Sequence, residues 1–140
     1  MEIIMDIKHE IDIETYMELR DSVGWKKLSD KQAESAISNA LYVSVIYEDG
    51  RPCAMGRVVG DGAVICYVQD LVVRPDCQGR GYGSIVLESL KEYVDGIREP
   101  GTTMMFALMC AKGRESFYEK HGFVARPTEN LGPGMIQYLS

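Results

Sequence analysis

The 140 residues amount to one domain, long enough to bury about 68–70% of the surface that the unfolded chain exposes. A hydrophobic content of 46% with 26% charged residues is ordinary for a globular protein, and a net charge of −6 argues against a nucleic-acid surface, which needs a basic stripe. The longest apolar run, residues 104–111, is far short of the roughly 20 residues of a membrane helix.

The N-terminus meets Glu2 and Asp6 at once, which predicts no signal peptide. Cys53, Cys66, Cys77 and Cys110 are widely spaced, with no C-x-x-C pair and no histidine pair nearby. They are therefore expected as reduced thiols of a cytoplasmic protein, without a metal site. Neither a nucleic acid nor a membrane is an expected partner.

Residues 3–8 alternate weakly and predict a first strand. Asp12 stands where an N-cap would, and Ile13, Tyr16, Met17 and Leu19 or Arg20 give helical spacing up to Val23-Gly24. Trp25-Lys26-Lys27-Leu28 connects to a second helix, where Ser29 and Gln32 have capping-box spacing and Ala33, Ala36, Ile37 and Ala40 form a narrow apolar face. Residues 41–47, 53–59 and 63–73 then read as an antiparallel meander, joined by Glu48-Asp49-Gly50-Arg51 and Gly60-Asp61-Gly62.

The third of these strands runs into the most informative stretch, Leu71-Val72-Val73-Arg74-Pro75-Asp76-Cys77-Gln78-Gly79-Arg80-Gly81-Tyr82-Gly83-Ser84. Pro75 ends the strand, since it offers no ladder donor and restricts the residue before it. A helix to about Ile97 follows, with Val86, Leu87, Leu90 and Val94 on one face and Glu88, Lys91, Glu92 and Asp95 opposite. Gly83 falls on its apolar face, which predicts close packing on the sheet. Strand, glycine turn and helix start together make a site for a phosphate-bearing ligand, because curled backbone N–H groups and a helix N-terminus both favour anions. Arg74 and Arg80 flank the turn as a local positive spot.

Residues 103–109 predict a buried strand, parallel to the one before the helix. A short helix over 114–121 follows, with Gly122 after it and Phe123 folding back onto it. Residues 123–126 and 135–139 have strand character. The predicted fold class is α/β, a single domain with a mixed central sheet flanked by helices.

No lysine follows the glycines, which excludes a Walker A loop, and the third glycine of a Rossmann fingerprint would fall on Ser84. Gln78-Gly79-Arg80-Gly81-Tyr82-Gly83 instead resembles the Gln/Arg-x-x-Gly-x-Gly/Ala motif of the GNAT superfamily of N-acetyltransferases. The preceding Leu71-Val72-Val73-Arg74-Pro75 and the downstream Phe117-Tyr118-Glu119-Lys120-His121-Gly122-Phe123 are similar to that family's flanking signatures, in the family's order.

The resemblance implies acetyl-CoA as cosubstrate, with no metal. It implies backbone amides from Gly79 to Ser84 (Gly79, Arg80, Gly81, Tyr82, Gly83 and Ser84) around the pyrophosphate, with Gln78 and Arg80 adding side-chain contacts. It also implies the backbone of Leu71, Val72 and Val73 beside the pantetheine arm, and the Leu71 N–H as oxyanion donor at a bulge. Tyr118 matches the family's general acid for the departing thiolate, and so would lie near the cofactor; packing under the sheet is its other reading.

Asp70 stands just before the oxyanion donor, on the face that regular alternation shares with Val68 and Val72. A general base and a hydrogen-bonded anchor are both open for it. Trp25 is a wall of the acceptor pocket or a core residue. Direct acetyl transfer to a small-molecule amine is the expected activity. A non-catalytic acyl-CoA-binding module and transfer to peptide amines are the alternatives, and a homodimer is expected by analogy alone.

Overall fold

A computed structural model describes residues 2–140. The elements are β1 Met5–Lys8, α1 Ile13–Ser22, α2 Asp30–Ser38, β2 Tyr42–Glu48, β3 Arg51–Gly60 and β4 Ile65–Val73, followed after a 3-10 turn at Pro75–Cys77 by α3 Tyr82–Ile97, β5 Met105–Leu108 and α4 Glu115–Lys120. The strands form one mixed sheet in the order β1-β2-β3-β4-β5. Two compact units make up the chain, one ending at Phe106 and the other Ala107–Ser140.

Local chemistry explains where the first elements start. Asp12 caps α1 by accepting from the Thr15 amide at 2.7 Å, and Ser29 with Gln32 forms a complete capping box at α2. Between β2 and β3 the backbone turns with Asp49 and Gly50 at φ 51° and 81°, the left-handed pair that a two-residue hairpin needs. Beyond β3, the Asp61 carboxylate accepts from the amides of Ala63, Val64 and Ile65. Those bonds hold its pKa below the usual carboxylate range.

The sheet is covered on both faces within the first unit. Tyr16 and Leu19 of α1 and Ala33 of α2 pack on Val43, Val45, Met55 and Val72. On the other face α3 buries Val86, Leu87, Leu90 and Val94. Gly56 of β3 is the point of closest approach: a Cβ there would lie 2.8 Å from Val86 Cγ1 and 3.0 Å from Leu90 Cδ1. Gly83, expected to serve that purpose, is only half-buried. Gly56→Ala should destabilise the fold by about 1–3 kcal/mol through overpacking, read as a lower urea midpoint with an unchanged slope.

β4 departs from regular alternation. Met55 pairs with Val72 but Arg57 with Gln69, so Gly56 alone stands opposite Asp70 and Leu71. Asp70 has φ 60°, a conformation non-glycine residues seldom adopt. The extra residue inverts facing along the strand. Gln69 shares the α1–α2 face with its partner Arg57, and Asp70 reaches Tyr16 of α1, so Val68 falls on the α3 face. The expectation that Asp70 shares a face with both Val68 and Val72 is therefore corrected: only Val72 stays with it.

Three further expectations change. Cys53 of β3 and Cys77 of the turn before α3 are paired as a disulfide with Cα atoms 5.9 Å apart, while Cys66 and Cys110 are free. Spacing of 24 residues hid a pair that only the return of β4 beside β3 brings together. β5 is shorter than expected and partly exposed, with Met105 at 52%, because it forms an edge of the sheet. Residues 123–126 and 135–139 form no strand. In the second unit Met135, Tyr138 and Leu139 are exposed, and an apolar run without a ladder partner does not become a strand.

α4 of that unit ends as its sequence predicts. The Gly122 amide donates to the Glu119 carbonyl and the Phe123 amide to that of Tyr118, with Gly122 at φ 90°. The Phe123 ring folds back edge-on against Tyr118, centroids 6.0 Å apart.

Candidate active site

The glycine turn opens α3 with Gly79 at φ 84° and Gly81, the N-cap, at φ 80°. No atom lies within 4 Å of a Cβ built at either position, so it is backbone conformation rather than space that calls for glycine. Such curled backbone, ending at the N-terminus of a 16-residue helix, fits a pyrophosphate through converging amides.

The side chains around the turn are already engaged. Gln78 donates to the Val73 carbonyl at 3.1 Å, tying the turn to the end of β4. Arg80 pairs with Glu48, which also accepts from the Tyr82 hydroxyl at 2.7 Å. Arg80 and then Tyr82 hold the Glu48 carboxyl below its ordinary pKa. Arg74 is buried, donating to the Pro52 carbonyl and to Glu18, so it is no part of a positive spot at the turn. Any anion held there depends on backbone amides, with Arg80 shared between it and Glu48.

On the opposite face, Asp70 is the centre of a buried cluster. Its Oδ1 accepts from Arg20 Nη1 at 2.6 Å, and its Oδ2 accepts from Arg57 Nε at 2.6 Å and from the Tyr16 hydroxyl at 2.5 Å. The carboxylate side chain is fully buried and the two arginines are 12% and 13% exposed. Burial first, and then the Asp70 carboxylate, push the Tyr16 phenol above its ordinary pKa, which keeps it a donor. Trp25, 38% exposed, lies against the Arg20 guanidinium at 5.3 Å.

A cleft of about 650 Å³ opens above this cluster. Tyr16 and Arg20 of α1 form one side and Lys31, Gln32 and Ser35 of α2 the other, with Arg57 and Gln69 of the sheet as its floor. Gln69 is the residue just before the bulge, so the cleft floor adjoins Asp70 and Leu71.

In the second unit, Tyr118 is half-buried on α4, with Phe117 edge-on at 5.0 Å. Burial, followed by the neighbouring Cys110 thiol, pushes its phenol above the ordinary value, against a smaller opposing pull from Arg114.

Residues 39–125, more than half of the chain, match a family model described as an acetyltransferase (GNAT) domain. The chain belongs to the GNAT acetyltransferase family. Among relatives, this GNAT chain is 31% identical over 121 residues to serotonin N-acetyltransferase 2, chloroplastic, of Oryza sativa subsp. japonica. The match covers 84% of the chain but 58% of the rice protein. Among solved structures, a Staphylococcus aureus protein described as a "protein of unknown function" and "probable acetyltransferase" superposes with a TM-score of 0.83 at 30% identity, covering 96% of this chain and 100% of that one. A GNAT-family acetyltransferase of Streptococcus pneumoniae shares the fold, with a TM-score of 0.81 at 24% identity over 99% of this chain and 98% of that one.

In this GNAT domain the bulge expected from the family stands at Asp70 and Leu71 of β4, directly before the phosphate turn. Sequence reasoning missed Tyr16, Arg57, Lys31 and Glu48. Arg57 carried a visible signal, since it is the one charged side chain inside the otherwise apolar 53–59 run. Arg20 was an ambiguous position on the α1 face. Glu48 looked like turn chemistry, and nothing in the sequence connects it with Arg80, 32 residues away.

Proposed function

We propose that the chain catalyses acetyl transfer from acetyl-CoA to the amine of a small molecule, by direct attack within a ternary complex. The bulged strand running into the Gly79–Gly81 turn at the head of α3 carries this reading. In it, backbone amides from Gly79 to Ser84 hold the pyrophosphate and the backbone of Leu71 to Val73 aligns the pantetheine arm. Acetyl-CoA supplies the activated thioester. The acceptor nitrogen forms the new C–N bond as the C–S bond breaks; the Leu71 N–H steadies the oxyanion, and Tyr118 gives its proton to the thiolate.

The size of the α1–α2 cleft supports a small-molecule acceptor, since about 300–1,000 Å³ is the usual range for such sites. Asp70 serves in this reading as a positioning residue. Both of its oxygens are occupied, Oδ1 by Arg20 and Gln69 and Oδ2 by Arg57 and Tyr16, and it fixes the bulge that presents Leu71. The proton of the amine leaves through water.

Thiol release from acetyl-CoA against a panel of amines tests the activity. CoA and acetyl-CoA should each raise Tm, because a ligand at about 100 times its Kd that binds only the folded state stabilises it by about 2.7 kcal/mol. No thermal shift with either compound would overturn the cofactor assignment. A shift without turnover on any amine would leave an acyl-CoA-binding module.

A further inference from the structure

The α1–α2 cleft carries a charge that the overall balance of −6 conceals. Arg20, Arg57 and Lys31 line it, and among the described residues no carboxylate does. Asp70 beneath them offsets one of these cations. Arg57 gives Nε to Asp70 and Nη1 to the Ala36 carbonyl at 3.3 Å, which leaves Nη2 without a hydrogen-bond partner among the described residues. Arg20 Nε is buried and also unpartnered. Lys31 is exposed and enters no ion pair among the described residues. Two positive charges therefore face a space of about 650 Å³ whose remaining polar lining is neutral.

We infer that the acceptor amine carries an anionic oxygen group, a carboxylate or a phosphate, held in this cleft by Arg57 and Lys31. A planar guanidinium with a free N–H edge matches the oxygens of either group, and Lys31 adds a mobile point charge at the rim. Polyamines and other acceptors with several positive charges meet like charge in a part-buried site, which costs affinity. An acidic chain thus presents a basic acceptor cleft. The inference rests on the acetyltransferase reading above and names its substrate class.

The test is steady-state transfer at saturating acetyl-CoA with matched acceptors: phenylalanine against phenethylamine, and glucosamine 6-phosphate against glucosamine. The anionic member of at least one pair should have a kcat/KM about 10-fold or more above its partner, and the pair that shows this separates carboxylate from phosphate. Lys31→Glu, on an exposed helix position, should cut that preference about 10-fold through the KM of the anionic member. Equal or better use of the uncharged partners in both pairs overturns the inference, as does a preference that Lys31→Glu leaves intact. If no amine is acetylated, the acetyltransferase reading fails first and calorimetric titration with inorganic phosphate decides the cleft. Binding that Lys31→Glu abolishes supports the anion site, and no binding to the unaltered protein overturns it.

Discussion

Tyr118→Phe is expected to lower kcat by about 10- to 1,000-fold while the Kd for CoA stays nearly unchanged. The substitution keeps the ring that packs against Phe117 and Phe123, so α4 and its terminating turn should survive it. What it removes is a proton. In the proposed mechanism that proton neutralises the thiolate as the C–S bond breaks, and without it the leaving group departs as an anion.

The pH dependence follows from the direction of the Tyr118 shift. Burial, the first of its causes, raises the phenol above the ordinary value of about 10, so the acid is loaded throughout the neutral range. On its alkaline side, wild-type kcat should therefore fall only above that ordinary value, and the variant should lack this limb. Stability takes the same sign. The contribution of a raised phenol is complete below the unfolded-state pKa and is lost as pH rises through the folded one. A kcat unchanged by Tyr118→Phe would remove the tyrosine from the mechanism, whatever happened to stability.

Asp70→Asn is expected to cost about 3–5 kcal/mol of stability, measured by urea unfolding, because it leaves two guanidiniums in a part-buried site without their counter-charge. The amide oxygen can still accept on one side, but the NH2 that replaces the other oxygen then faces either Arg20 or the Arg57–Tyr16 pair. The backbone at Asp70 is also strained, with φ 60°, and asparagine tolerates that conformation well. The loss should thus come from charge rather than from the bulge. Activity should fall less than in the tyrosine variant, and the acid limb of its pH–rate profile should persist. Disappearance of that limb would make Asp70 the general base. Retention of full stability would refute the buried cluster as an anchor.

The sequence made local features legible and non-local ones hard to see. Asp12, the Ser29–Gln32 box, the Asp49-Gly50 hairpin and the Gly122 helix stop are each encoded within a few residues, and all stand where their chemistry predicts. Arg20 and Asp70 are 50 residues apart, and Tyr16 and Asp70 are 54 apart. No pattern within a single element signals such pairs. The bulge was hidden for another reason. β4 is covered on both faces, so its residues alternate between buried and half-buried straight through the irregularity, and the inversion leaves no mark on hydrophobic pattern. The region from residue 123 onward misled in the opposite way, since its apolar residues suggest strands that have no pairing partner.

The single extra residue in β4 also constrains how this strand can change over evolutionary time. Its side chains can be exchanged one by one, because each touches only its own neighbours. Its length cannot. Deleting either Asp70 or Leu71 would restore a straight ladder with β3 and leave Gln69 and Val68 facing as they do now. The one residue left opposite Gly56 would then point toward α3, and Arg20 and Arg57 would lose their counter-charge in either case. Point substitutions can therefore retune the acceptor pocket, whereas a one-residue gap in this strand would remove the bulge and its anchor together.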